Sequence, residues 1–476
     1  MDRLRRLLGR RSTPRSSQEY ERLAEDTSEL ENSDVLDHYD NYDGGEEEVP
    51  FSWFEYAIFV LLGMAMLWAW NMFLAAAVYF HKRFEEEKWI ADTFQSAIIT
   101  VSTVTNLVVM FVLTHMHQTA SYPFRINLAL IINTVTFSML AASTVFLEDA
   151  SPAVYLVFVL AMVGLTAYAT GLIQNGAFAF AASFGRSEYM QALMVGQGVA
   201  GVLPPIVQIV SVLSVPGANT AGENETTPPP PPVPEDAGSG SGTSAFIYFL
   251  TAVAVSLAAL LAFIPLARRH HRLVANRIAD QMAESLASIE EAERSARKVT
   301  GPIKLFLKLP WLSSAIIICF STTMFFPVFT AKILSVRGEG DGVPAIFQPA
   351  AFVPFAFFMW NLGDLSGRVS TALPFSLRHR PFLLFLISLA RIFILPLYLL
   401  CNVGGRGAVV QSDFFYLFGV QVVFGLTNGW LGSSCMMAAG EWVEEGEREA
   451  AGGFMGLCLV LGLALGSLLS FSVAGL

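Results

Sequence analysis

The chain has 476 residues, 54% of them hydrophobic and only 14% charged, with a formal net charge of −11. Soluble globular proteins carry about a quarter charged residues, and a soluble chain of this length would show two or three water-facing domains. Here the apolar residues come in blocks of about twenty or more rather than at amphipathic spacing, which excludes a soluble fold and marks a polytopic, all-α membrane protein.

Most of the charge sits at the start. Residues 1–50 contain 7 Arg and no Lys against 14 acidic residues, so −7 of the −11 lies in this tail. It begins basic (Arg3, Arg5, Arg6) and turns acidic (Glu46, Glu47, Glu48), with no large apolar run. Such a segment cannot bury enough surface to fold alone, and a disordered cytoplasmic tail is expected. The basic stretch is short and has no folded platform behind it, so no nucleic-acid partner is expected. No cleavable signal peptide is expected, because the first apolar run begins only near Phe51.

From residue 54 onward the pattern predicts eleven spans, at 54–80, 94–116, 126–146, 154–180, 190–212, 244–267, 311–333, 347–369, 382–401, 414–439 and 454–473. Each is close to the ~20 residues that cross ~30 Å of hydrocarbon. The connection after span six carries Arg268, Arg269, Arg272, Lys304 and Lys308 among others, and the one after span eight carries Arg368, Arg378 and Arg380. The positive-inside rule therefore puts these loops and the N-terminus in the cytoplasm. An odd span count then puts the C-terminus on the lumenal or external side. The loop at 213–243 has no Lys or Arg, a proline run, a Gly/Ser run and the sequon Asn224-Glu225-Thr226, all suited to that opposite face.

Between them, residues 268–310 form a cytoplasmic linker. Leu273, Ile278, Met282, Leu286 and Ile289 recur there among charges, as in an amphipathic helix on the membrane surface; a solvated helical linker is the other reading. The linker divides the chain into a six-helix bundle, 51–267, and a five-helix bundle, 311–476.

Charged and amide side chains inside the bilayer are expensive and point to function. Asp364 is the only carboxylate well inside a span. Asn361, Asp364 and Arg368 share one helix face by their spacing. A carboxylate beside a fixed guanidinium suits a vicinal diol; it equally suits a gate latch. Gln174 and Asn175 in span four fit either a heterocycle edge or an interhelical bond. Trp68, Trp70 and Asn71 lie mid-span, away from the interface where Trp gathers; Trp68 reads as packing. Gly196-Gln197-Gly198 and Gly201 read as close helix packing, and Pro204-Pro205 predicts a break or kink. Arg391, at mid-depth, predicts an ion pair or a wet cavity. Four cysteines scattered in apolar runs, with no CxxC spacing, read as packing residues. No catalytic triad, zinc motif or carboxylate dyad occurs, so neither an enzyme nor a cofactor or metal is expected.

Several of these residues sit in motifs. Asn361-Leu362-Gly363-Asp364-Leu365-Ser366-Gly367-Arg368, Thr427-Asn428-Gly429-Trp430-Leu431 and Gly462-Leu463-Ala464-Leu465-Gly466 occur in order and in the right spans. Gly196-Gln197-Gly198-Val199-Ala200-Gly201, Trp70-Asn71 and Arg125 accompany them. Together they resemble the equilibrative nucleoside transporter family over nearly all eleven segments. The resemblance implies a major-facilitator-like fold of 6+5 helices and passive, bidirectional transport of purine and pyrimidine nucleosides such as adenosine and uridine. Proton-coupled movement of nucleosides, nucleobases or another polar metabolite is the alternative. By position, Asp364 and Arg368 would hold the ribose hydroxyls with Asn361 beside them. Gln174 would bond the base, with Leu67, Trp70 and Leu463 packing on it and Phe326 and Ile98 as pocket wall. Trp68 and Ala69 depart from the family pattern, and the long loop and the tail lie outside its core. The acidic tail resembles those of vacuolar or lysosomal members, with the plasma membrane as the alternative. Nucleosides and membrane lipids are the expected partners, and no obligate protein partner is predicted.

Overall fold

The computed structural model describes residues 51–115, 121–147, 150–214, 240–284, 300–338, 342–374 and 376–470. The acidic tail, most of the loop at 213–243 with Asn224, and the last residues of the final span lie outside them.

In bilayer, every backbone polar group must be satisfied within its own segment, so apolar runs become helices. The helices are α1 (Trp53–Ala75), α2 (Ala77–Phe84), α3 (Lys88–His115), α4 (Tyr122–Phe146), α5 (Pro152–Ser183), α6 (Ser187–Ser214) and α7 (Gly240–Glu284). After the linker come α8 (Pro302–Lys308), α9 (Pro310–Thr323), α10 (Phe325–Thr330), α11 (Pro349–Ser370), α12 (Pro381–Ala390) and α13 (Leu395–Tyr398). A π-helix, Phe415–Val422, runs into α14 (Val423–Ala439), and α15 (Arg448–Ser470) ends the described chain. Prolines stand at the first or second position of α4, α5, α8, α9, α11 and α12, where a missing N–H costs nothing.

Nine described segments are long and apolar enough to cross a membrane. The other two expected spans are also helical, as α11 and as the π-helix with α14. These two carry the glycines and polar residues that dilute their hydropathy.

α1 packs along α6 and α7, α4 along α5 and α7, and α3 along α5. Among the later helices α11 lies on α14, while α9 touches α12, α14 and α15. The earlier and later helices meet mainly at α6 with α11 and at α5 with α15. One apolar cluster gathers Phe73, Phe80, Phe94, Phe137 and Phe249 among the earlier helices. A second gathers Phe326, Phe352, Trp360, Tyr398 and Phe424 among the later ones. The end of the molecule where α1 begins is called the tail side below.

Three local details stand out. Of the break or kink expected at Pro204-Pro205, the break is absent: α6 is one helix from Ser187 to Ser214 with both prolines inside it. Pro204 has no N–H to offer the Ala200 carbonyl, and Asn71 of α1 donates its side-chain amide to that oxygen at 2.7 Å instead. α7 continues the sixth span without interruption to Glu284, so the linker begins inside that helix, and Leu286 and Ile289 of the expected amphipathic helix lie outside the described residues. At 45 residues it reaches about 68 Å, roughly twice the hydrocarbon thickness. Span nine is broken, with α12 giving way at Arg391 to a 3-10 turn, Arg391–Ile394, before α13.

Candidate functional site

The site grows from the crossing of α11 and α14, whose backbones touch. A Cβ at Gly429 would lie 1.9 Å from the Asp364 carbonyl oxygen, and one at Gly425 would lie 2.1 Å from that of Trp360. Only glycine permits this approach, and it brings Asn428 level with Asp364. The Asn428 amide donates to Asp364 Oδ1 at 2.7 Å, while Arg368 Nε donates to Asp364 Oδ2 at 2.7 Å. Both members of the ion pair are buried, at 4% and 5% exposure. A buried pair is poor evidence for stability, since desolvation offsets its attraction, so its presence calls for a functional reason. A carboxylate has about four acceptor positions. Arg368 and Asn428 occupy one on each oxygen, which leaves capacity for two further donors.

Arg368 also reaches out of its own half. Its Nη1 donates to the Met194 carbonyl at 2.8 Å and to Gln197 Oε1 at 3.2 Å, both on α6. The Gln191 amide donates to the Arg368 and Val369 carbonyls at 3.4 and 3.3 Å. Gly198 and Gly201 make room here: a Cβ would lie 3.0 Å from Arg368 Cδ and 2.6 Å from Asn361 Oδ1, respectively. At the tail-side rim Arg378 donates to Ser187 Oγ on α6 at 2.6 Å and to Glu441 at 2.7 Å. In this conformation the earlier and later helices are thus pinned together from the ion pair to the tail-side rim.

Arg391, expected in an ion pair or a wet cavity, is buried and has no ion pair among the described residues. Its Nη1 donates to the Cys319 carbonyl and to Cys319 Sγ, both at 2.9 Å, and its Nε donates to Thr427 Oγ1 at 3.2 Å. The guanidinium lies 4.7 Å from the Phe424 ring centroid. It satisfies itself on α9, α14 and an aromatic face. Thr323, 3.4 Å from Arg391 Nη2, donates in turn to Asn428 Oδ1 at 2.6 Å. A chain of polar contacts therefore leads from Arg391 through Thr323 and Asn428 to the Asp364 carboxylate. Cys319 belongs to this network, with its thiol 3.4 Å from Asn428 Oδ1. All four cysteines are free and buried.

The remaining predicted residues fall into separate groups. Gln174 is buried on α5 and accepts from the Asn106 amide at 3.4 Å, while Asn175 accepts from Arg125. Asn106 Oδ1 and Asn175 Nδ2 have no hydrogen-bond partner among the described residues. Trp70 packs against the earlier helices' cluster, which contains Ile98, and Leu67 lies half-buried three residues before it. Trp68 donates to Thr251 on α7 at 3.3 Å, consistent with packing. Phe326 stacks on Trp360 at 4.1 Å, one turn before Asp364. Leu463 is half-buried on α15. Asn361 donates to its own helix at the Phe357 carbonyl, 2.8 Å away, and does not bond Asp364.

Asn428, Gln197 and Thr323 received no role from the sequence. Asn428 and Gln197 were visible as amides inside apolar runs; Thr323 left no signal, because hydroxyls are common in spans. Glu55 was hidden at the edge of span one, yet it is buried, accepts from Tyr189 on α6 and pairs with Arg269 of α7 at 3.2 Å.

The described residues hold nine membrane-length helices, two sets of helices meeting at a buried carboxylate–guanidinium pair, and share the fold of solved major facilitator superfamily transporters. The structure of FucP in the outward conformation aligns over 88% of this chain and 91% of that one, at 12% identity and a TM-score of 0.52. The structure of the proton:xylose symporter XylE aligns over 87% of both, at 12% identity and a TM-score of 0.55. The family model described as Nucleoside transporter matches residues 160–474, and the chain belongs to that family. Nucleoside transporter FUN26 of Saccharomyces cerevisiae is 28% identical over 87% of this chain and 83% of its own length. Equilibrative nucleoside transporter 1 is 28% identical in Mus musculus and 25% in Homo sapiens, over 88% and 87% of this chain and 96% and 95% of theirs. The family resemblance read from the motifs is thereby borne out.

Proposed function

We propose that the protein is a facilitative, bidirectional transporter of purine and pyrimidine nucleosides that works by alternating access. Family membership supports the substrate class. The observation that carries the mechanism is Arg368, which holds Asp364 on its own helix and the Met194 carbonyl across the α6–α11 contact at 2.8 Å. A ribose diol offers two donors, and Asp364 has two acceptor positions to spare. Diol binding would draw Arg368 toward the sugar and loosen its hold on α6, so that ligand clamp and gate latch are one device. Gln174, with unpaired amide atoms of Asn106 and Asn175 nearby, suits the edge of a base. Leu67, Trp70, Leu463, Phe326 and Ile98 would supply its apolar walls, and Asn361 would stand beside the sugar.

The charge asymmetry supports a cytoplasmic tail side, with the C-terminus and the Asn224 sequon on the lumenal or external face. The acidic tail favours a vacuolar or lysosomal-type membrane over the plasma membrane. The helix contacts support division into bundles 51–267 and 311–476 joined by the linker 268–310.

Competition tests the clamp. Uridine uptake into proteoliposomes should be inhibited more weakly by 2′- and 3′-deoxyuridine than by unlabelled uridine, by about tenfold for one lost hydrogen bond to a charged group. Equal inhibition by both analogues contradicts the assignment of Asp364 to the diol.

A further inference from the structure

A groove of about 680 Å³ opens on the tail side, where α8 meets the starts of α9 and α12. It lies away from the ion pair and from every residue assigned to nucleosides. Its walls are apolar and aromatic: Trp311 and Phe382 meet edge-on at 4.9 Å, and Trp442 also lines it. α8 turns Ile303 and Leu307 outward at 77% and 72% exposure. A seven-residue helix with such a face, with a half-exposed tryptophan three residues after its end, has the composition suited to the boundary between headgroups and acyl chains.

Two cations line the groove, Lys308 and Arg380. Lys308 is held by both Glu447 oxygens, at 2.8 and 2.6 Å, with Glu444 at 3.8 Å. Glu441, on the same rim, is taken by Arg378. Arg380 is exposed and its side chain has no hydrogen bond or ion pair among the described residues. Among the described residues the groove thus offers one uncommitted guanidinium beside an apolar slot. A headgroup phosphate with acyl chains below it has the complementary arrangement.

We propose that this groove is a binding site for one anionic phospholipid, with its phosphate on Arg380 and its upper acyl chains along Trp311 and Phe382. The site adjoins the tail-side latch, because Trp442 Nε1 donates to the Arg378 carbonyl at 3.0 Å and Arg378 holds Ser187 of α6. A bound lipid would brace the segment that keeps the tail side closed. The inference needs only a membrane-embedded chain and does not depend on the transported substrate.

Native mass spectrometry of the full-length protein in detergent, with equimolar phosphatidylglycerol and phosphatidylcholine added, tests it. Wild type should retain phosphatidylglycerol in preference to phosphatidylcholine, and Arg380→Ala should retain about fivefold less, the share of one cation facing an anionic headgroup. Arg380→Lys, which keeps the charge, and Lys304→Ala, which removes an exposed cation outside the groove, should behave as wild type. Excess inorganic phosphate should leave the lipid bound. Undiminished retention by Arg380→Ala, indifference to headgroup charge, an equal loss in Lys304→Ala, or displacement by phosphate alone would each overturn the assignment.

Discussion

Asp364 is held on one side by Arg368 and on the other by Asn428, and each neighbour restrains a different motion. Arg368 links the carboxylate to α6, whereas Asn428 fixes its plane against α14. Asn428→Ala should leave the carboxylate in place but free to rotate, raising the KM for uridine about tenfold, as expected for one bond to a charged acceptor. Uptake kinetics in proteoliposomes give the ratio. Arg391 acts at the far end of the same chain of contacts, where its loss removes a charged donor from the Cys319 carbonyl, the Thr427 hydroxyl and the Phe424 carbonyl. Arg391→Leu should lower stability by about 2 kcal/mol, the worth of hydrogen bonds to a charged group, and thermal unfolding of the detergent-solubilised protein should show it. At this scale the sequence was legible where a charge interrupted an apolar run, because burying it needs a reason. It was illegible where the partner is a backbone carbonyl or a hydroxyl on another helix, as for Arg391 with Cys319 and Thr427.

Helices α1 and α6 illustrate what an element owes to its neighbour. Gly63 faces the Leu193 carbonyl and Gly196 the Val60 carbonyl, and a Cβ added at either glycine would lie only 2.0 Å from that oxygen, so the two backbones are in contact. That closeness lets Asn71 reach the Ala200 oxygen that Pro204 leaves unbonded. Asn71→Ala should therefore destabilise the protein by about 1–3 kcal/mol for the orphaned carbonyl. Pro204→Ala in the same background should recover most of the loss, because residue 204 regains an N–H for Ala200. The double-mutant cycle in thermal stability measures this coupling, and strict additivity would contradict it. Hydropathy located the helices because bilayer leaves the backbone no alternative. It expected a break or kink at the two prolines; the helix runs on through them, and the Asn71 amide supplies the donor that Pro204 lacks. It also could not foresee that α7 runs on beyond the apolar stretch to Glu284.

For the whole molecule, the decisive feature is where the earlier and later helices touch. Contacts from Arg368 with Met194 to Arg378 with Ser187 close the tail side. Arg378→Ala should weaken that closure, raising amide hydrogen exchange in residues 187–198 and 364–374 relative to the α4–α7 contact, which serves as an internal reference. The family and the polytopic fold were legible in the motifs and the hydropathy. Which gate is closed was not, because it depends on pairs such as Arg378 and Ser187 that lie 191 positions apart in the chain. The central claim is that a passive nucleoside path runs through the Asp364–Arg368 pair. Its most direct measurement is uptake of labelled uridine and adenosine into proteoliposomes with no ion gradient, for wild type beside Asp364→Ala. Saturable flux should halt at equal concentrations in wild type and be lost in a folded, membrane-inserted variant. Full flux through Asp364→Ala, or wild-type flux only under an imposed proton gradient, would contradict it.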